Sequence, residues 1–211
     1  MKKTILVFIM AVFFVAGALP ARSASPDPTE SLRGPLNEVM RILSDPRYKS
    51  KDKDVKARQH DALWAIIRSV FDFTEVAKRA LAQNWMRFSM SERKEFRDLF
   101  AELLGNIYIE KIQGSFEGEK VVFAGQEMVT ADRAEVKTRV LLANGTLPID
   151  YSVMKKDGRW VVYDVKVEGV SLVKNYRTQF NQILLSDTPA AVISLLRDKV
   201  AKQKRGEKVE G

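Results

Sequence analysis

An α+β domain, helical in its first half and an antiparallel sheet in its second, is the fold class the sequence predicts. Three observations predict it. Apolar residues recur at helical spacing through residues 27–112, and from Lys120 to Glu168 the period drops to two. Short turn signals, Ala131-Asp132, Asn144-Gly145 and Asp157-Gly158, then divide that second stretch into four strands joined as a meander.

The elements follow in order. Behind Pro26 and Pro28, residues Leu32, Leu36, Val39, Met40 and Leu43 form one helical stripe, which Asp45-Pro46 stops. The charge run KSKDKDVK (residues 49–56) reads as a solvated loop and helix start, and a second helix runs from Val55 with Leu63, Ile66, Ile67 and Val70 on one face. Asp72 with Glu75 starts a short helix whose Val76, Ala77, Ala80 and Leu81 face inward. Ser89 with Glu92, or Ser91 as cap, starts the longest one, and its stripe from Phe96 to Ile112 is wider than one neighbour requires.

The strands are expected at Val121–Met128, Arg133–Ala143, Thr146–Lys155 and Arg159–Glu168. In the second, Ala134, Val136, Thr138, Val140 and Leu142 alternate with charged residues; in the third, Leu147, Ile149, Tyr151 and Val153 do so. In the fourth, Val161, Tyr163, Val165 and Val167 fall on one face, with Val162 the exception. Asp157-Gly158 carries the type I′ signature, because Gly takes a positive φ without steric cost. A helix is expected from Val170 to Leu185, and Thr188-Pro189 starts a last one. A helix folded back over the apolar face of a sheet encloses either a packed core or a cavity, and periodicity leaves both open.

The chain begins with Lys2 and Lys3, an apolar run from Ile5 to Leu19, and the small residues Ala21 to Ser25. This is the layout of a secretory signal peptide over residues 1–24, and the run is shorter than the ~20 residues of a spanning helix. Losing Lys2, Lys3 and Arg22 with it would lower the formal charge from +8 to +5. A basic exported domain suits anionic surfaces, and export disfavours nucleic acid as a partner. The chain has no Cys, which removes disulfides, thiol nucleophiles, thiolate metal sites and a lipidated cysteine together.

Little points to catalysis. His60 is the single histidine, no phosphate-binding glycine loop is present, and no serine has a readable partner base. Asp150 and Asp164 fall on the polar face of adjacent strands, as solvated or salt-bridged carboxylates would. Tyr151 or Tyr163 beside a buried carboxylate would keep a proton-transfer enzyme open as an alternative.

Several motifs go further. FDFTEVAKRALAQNWMRFSMSERKEFRDLFAELLGNIYI and PIDYSVMKKDGRWVVYDVKVEGVSLVKNYRTQF resemble the MlaC family, over about Pro35 to Leu196. The most specific parts are Phe71-Asp72-Phe73, Trp85, Tyr108, Gly158-Arg159-Trp160, Tyr163-Asp164-Val165, Glu168-Gly169-Val170-Ser171 and Asn175-Tyr176-Arg177. The resemblance implies an NTF2-like α+β fold, in which a four-stranded curved antiparallel sheet and helices enclose an apolar cavity. It implies a single lipid-binding domain over residues 25–204, with a helical part at about 30–115, the sheet at about 119–168, closing helices at about 170–203, and a polar tail at 205–211.

The implied function is that of a soluble periplasmic, non-enzymatic carrier. It would hold a phospholipid as cargo, without cofactor or metal, and shuttle it between an outer-membrane lipoprotein complex and an inner-membrane MCE-protein ABC transporter, the traffic that maintains outer-membrane lipid asymmetry. The alternatives are a carrier of another apolar lipid, such as a hopanoid, or an enzyme of the NTF2-like class. The expected cavity wall is Phe100, Leu103, Leu104, Tyr108, Val136, Val140 and Ile149, continued by Tyr151, Val153, Val161, Tyr163, Val165, Tyr176 and Phe180; for each, plain core is the competing role. Asn175 and Arg177 are the headgroup candidates, against a fold-holding role for both.

Overall fold

A computed structural model describes residues 27–207 and 209; the expected signal peptide lies outside them. The order is α1 (Pro28–Ser44), α2 (Lys53–Val70), α3 (Phe73–Leu81), α4 (Met90–Ser115), β1 (Lys120–Thr130), β2 (Arg133–Leu142), β3 (Gly145–Lys156), β4 (Arg159–Val167), β5 (Val170–Ser171), α5 (Leu172–Leu184) and α6 (Pro189–Lys204). Short 3-10 turns occupy Pro46–Tyr48 and Ala82–Arg87.

The helix starts are set by local chemistry. Asp27, Asp52 and Asp72 each accept backbone N–H groups of the first turn. Ser89 and Glu92 form a reciprocal capping box, and Thr188 caps α6 ahead of Pro189. These partners satisfy donors that would otherwise have none.

The sheet is antiparallel in the order β1-β2-β3-β4-β5, so the expected α+β fold is found with one strand more than the four expected. Asp157 (φ 48°) and Gly158 (φ 77°) both have positive φ, as a type I′ turn requires. Glu168 (φ 51°) and Gly169 (φ 80°) repeat the device between β4 and β5. Val170 and Ser171 therefore pair with Val167 and Lys166 instead of opening the helix, and α5 starts at Leu172 with Ser171 as its cap.

The faces of β4 differ from strict alternation. Ser152 pairs with Asp164 but its neighbour Val153 pairs with Val162, so Tyr163 is the extra residue of a β-bulge. The bulge inverts the pattern on one side of itself. Val162, the apparent exception, is fully buried with Val153, while Val161 turns away into a cleft.

Helix α1 crosses the apolar face of the sheet. Leu32 packs with Ala134, Val136, Val153 and Val162, the Arg33 guanidinium lies 4.6 Å from the centre of the Phe123 ring, and Thr29 donates to Gln126 Oε1 from both its N–H and its hydroxyl. The opposite face carries the ion pairs Lys137–Glu127, Lys166–Glu135 and Arg139–Asp150.

The wide stripe of α4 is explained by its neighbours, since it packs against α2, α3 and α6. Its Gly105 lets the Trp64 ring lie directly on the helix; a Cβ there would meet that ring at 2.5 Å. Phe96, Phe100, Tyr176 and Phe180 interlock at ring-centre distances of 5.0–6.0 Å, mostly edge to face.

Two ties hold the helical half to β4. The Asp72 N–H donates to Val162 O at 2.9 Å, beside a parallel bridge between Phe71 and Val162. Asp164 accepts from the N–H of Val165 (2.8 Å), the N–H of Val173 (3.0 Å) and the Ser171 hydroxyl (2.5 Å), pinning the start of α5 to the sheet.

Candidate functional site

A cleft of about 870 Å³ lies between α2, α4 and the β3–β4 turn. Trp64, Phe71, Phe73 and Val161 supply apolar lining, and charged side chains of both signs surround them. The rings of Trp64, Phe73 and Phe71 form a chain, with centres 5.5 and 5.6 Å apart.

Beneath the cleft the apolar interior is divided. One cluster lies among α3, α4, α5 and α6; another lies between α1 and the sheet. Phe71 packs against both and also lines the cleft, so the cleft opens onto the seam between them. Phe71 belongs to the Phe71-Asp72-Phe73 motif and is not among the residues expected at the site. The local signal was an aromatic on either side of a helix cap.

The expected wall residues are distributed over both clusters. Phe100, Leu103, Tyr176 and Phe180 are buried in the helical cluster, with Leu104 and Tyr108 against it. Val136 and Val153 are buried in the sheet cluster, with Tyr151 and Val165 against it. Val140 and Ile149 share that face, half-buried, towards its other end. Val161 lines the cleft. Tyr163 lies apart from all of these, its ring centre 3.9 Å from the Arg79 guanidinium carbon.

Of the headgroup candidates, Asn175 is exposed. Arg177 is half-buried, and its Nε donates to Arg79 O at 2.8 Å, a contact that ties α5 to α3. Burial pushes the Tyr151 phenol up to about 12 and also raises those of Tyr108 and Tyr176. The Tyr176 hydroxyl is buried with no hydrogen-bond partner among the described residues.

The parts of a proton-transfer site are not brought together. Tyr151 is on the apolar face, whereas Asp150 pairs with Arg139 and Asp164 is committed to its three donors, both on the other face. His60 Nε2 lies 3.1 Å from Asn106 Oδ1. Among the described residues no group of three His, Cys, Asp or Glu stands where it could hold a metal ion. Nor is any helix among them long and apolar enough to cross a membrane.

Asp72, at the cleft wall, caps α3 and pairs with Lys156. Burial works against its charge, but the Lys156 hydrogen bond and the Glu75 and Thr74 N–H groups prevail, leaving its pKa below the ordinary 3.8. A depressed carboxylate stabilises the fold above its unfolded pKa, and that contribution is lost as pH falls through the folded value. Asp72→Asn keeps a good cap and removes the ion pair. It should cost about 1 kcal/mol at pH 7, with the difference from the parent shrinking as pH falls below the ordinary 3.8 and through the depressed folded value. Urea denaturation at a series of pH values reads this directly; a difference unchanged at low pH would assign it to the cap alone.

Comparison with known proteins accords with this architecture. The phospholipid-binding protein from Ralstonia solanacearum, solved in complex with a phospholipid, superposes with a TM-score of 0.71 at 20% identity, covering 84% of this chain and 98% of that one. No curated protein matches the chain. A family model described as MlaC protein matches residues 35–198. A match of that length, on the expected α+β fold, shows that the chain belongs to the MlaC family.

Proposed function

We propose that this protein is a periplasmic carrier that binds a phospholipid by its acyl chains and shuttles it between outer-membrane and inner-membrane lipid-transport complexes. Family membership is the observation that carries the reading. The phospholipid held by the structurally similar Ralstonia protein, and a cleft opening onto the seam between two apolar clusters, support it.

The physical problem is the cost of exposing the tails. Each methylene is worth about 0.8 kcal/mol, so one tail of about 16 carbons represents on the order of 13 kcal/mol in water. A carrier must offset that almost evenly, because much tighter binding would prevent release. Non-directional contacts suit tails of varied length. Val136, Tyr151, Val153 and Val165 on the sheet side, and Phe100, Leu104, Tyr108, Tyr176 and Phe180 on the helix side, would flank acyl chains entering past Phe71. Export would follow from the signal peptide at residues 1–24. The role requires binding and release only, so the carrier is not an enzyme and needs no cofactor.

The test is the content of protein purified from its native compartment without detergent. Native mass spectrometry followed by lipid extraction should find about one phospholipid per chain. A hopanoid or other apolar lipid in its place would revise the cargo. Empty protein that also takes up nothing from labelled vesicles would overturn the carrier reading.

A further inference from the structure

The three most exposed large apolar side chains among the described residues stand together where α5 ends and α4 begins. Met86, Met90 and Leu185 are 77%, 85% and 79% exposed. Two segments carry them, and Arg87 fastens the segments to each other: its guanidinium donates to Leu184 O at 2.7 Å and to Asp187 O at 3.2 Å. Asn84 adds a side-chain bond to Asn181 at 2.7 Å. Arg93, one turn on from Met90, reaches Met86 Sδ at 3.5 Å and lies 5.2 Å from the centre of the Trp85 ring. Single exposed apolar residues are ordinary, but adjoining ones mark a contact surface.

Cations frame these tips. Arg87 donates to Asn84 Oδ1 and two backbone carbonyls, and Arg93 to Trp85 O and the Met86 sulfur. Neither guanidinium has a carboxylate partner among the described residues, so both charges stand uncancelled. Lys94 approaches Asp98 only to 3.8 Å. Glu92 is folded back onto the Ser89 N–H, which leaves Asp187 as the acidic member of the rim. The chain as a whole carries +8, or +5 without its leader.

We infer that this end of the protein seats on an anionic bilayer surface, with Met86, Met90 and Leu185 below the headgroups and Arg87 and Arg93 level with the phosphates. Shape favours a bilayer over a rigid partner. Side chains this exposed project as separate tips, and a rigid partner would need a socket for each, whereas a bilayer closes around any projection. Unbranched Met adapts to such a medium, and the uncancelled guanidiniums complement its phosphates. These residues carry the inference, and it stands apart from the carrier reading. It does add to that reading a place of contact. Positions 90, 93, 97 and 101 follow one another down one side of α4, and Arg97 and Ala101 line the cleft. The eleven residues from Met90 to Ala101 span about 16 Å, so a protein seated on these tips holds its cleft beside the bilayer.

The chain has no Cys, so one introduced label reports one position. Met86→Cys, Met90→Cys and Leu185→Cys, each bearing a polarity-sensitive nitrobenzoxadiazole, are mixed with vesicles of phosphatidylethanolamine and phosphatidylglycerol. Val129→Cys, also exposed but on the edge strand β1, is the control. Each protein is saturated with phospholipid beforehand, so that loading of the interior does not contribute. Emission at positions 86, 90 and 185 should shift to the blue, and emission at 129 should not. In vesicle flotation, Met86→Ser/Met90→Ser/Leu185→Ser should lose about tenfold or more in partitioning. Arg93→Gln should lose about fivefold and Arg93→Lys should regain it, with thermal melting showing each variant folded. Binding of the parent should weaken at high salt and on pure phosphatidylcholine.

Emission unmoved by vesicles at 86, 90 and 185 would overturn the inference, and so would an equal shift at 129, the sign of general adsorption. A shift that grows with protein concentration in the absence of vesicles would make the patch an interface between copies of the chain, and the inference would fall. Uptake of labelled lipid is measured separately, and its absence bears on the carrier reading alone.

Discussion

Asp164→Ala is expected to be among the most destabilising single substitutions in this chain, at about 3 kcal/mol. Its carboxylate accepts the N–H groups of Val165 and Val173 and the Ser171 hydroxyl. A hydrogen bond to a charged group contributes about 1.5–3 kcal/mol, and stranding part-buried donors costs more than making the bonds gained. Through these contacts one side chain joins β4, the two-residue β5 and the first turn of α5. Asp164→Asn retains one accepting oxygen and should lose roughly half as much. For a domain of this size 1 kcal/mol moves Tm by about 2–4 °C, so the alanine variant should melt some 6–12 °C lower. A loss below about 1 kcal/mol would mean that α5 is held by its apolar face, Val173, Tyr176 and Phe180, without help from the carboxylate.

That residue also marks where the sequence stops being legible. Asp164 was readable as a polar-face carboxylate, because alternation says which way a side chain points. It does not say what that side chain meets, and Ser171 and Val173 come from beyond a turn. Signals within one turn of chain were legible, as with Ser89 and Glu92 in their capping box or the Asp157-Gly158 type I′ turn. The β4 faces were not, because a bulge is a property of register between two strands: Tyr163 is extra only relative to Ser152 and Val153. β5 escaped for a related reason. Val170 and Ser171 fit a helix start equally well, and the Glu168-Gly169 turn returns them to the sheet first.

The candidate site divides along the same line. Apolar residues were identified by type and period, which is why Phe100, Val136, Val153, Tyr176 and Phe180 are all interior. Their allocation to two clusters, and the position of Phe71 between them, depends on how helices pack on the sheet. The cleft joins residues far apart in the chain, Trp64 and Val161 at 97 positions among them, and no local pattern links such a pair.

Val140→Trp should abolish phospholipid uptake and leave the protein folded, whereas Val165→Trp should destabilise it. Both valines share the sheet face that would flank the tails, but their surroundings differ. Val165 packs against the cluster of Val136, Val153 and Val162, where added bulk forces neighbours off their rotamers at a cost of about 1–3 kcal/mol. Val140, paired with Val121 and Leu147, is half-buried, so an indole there meets fewer fixed neighbours. If acyl chains lie along this face, the indole takes the volume of several methylenes, each worth about 0.8 kcal/mol of lipid binding, and more than tenfold of uptake goes with them. Thermal melting and vesicle uptake on both variants separate the two effects. A Val140→Trp protein that melts like the parent and still loads lipid would move the acyl chains off the sheet and into the helical cluster, around Phe100 and Tyr176.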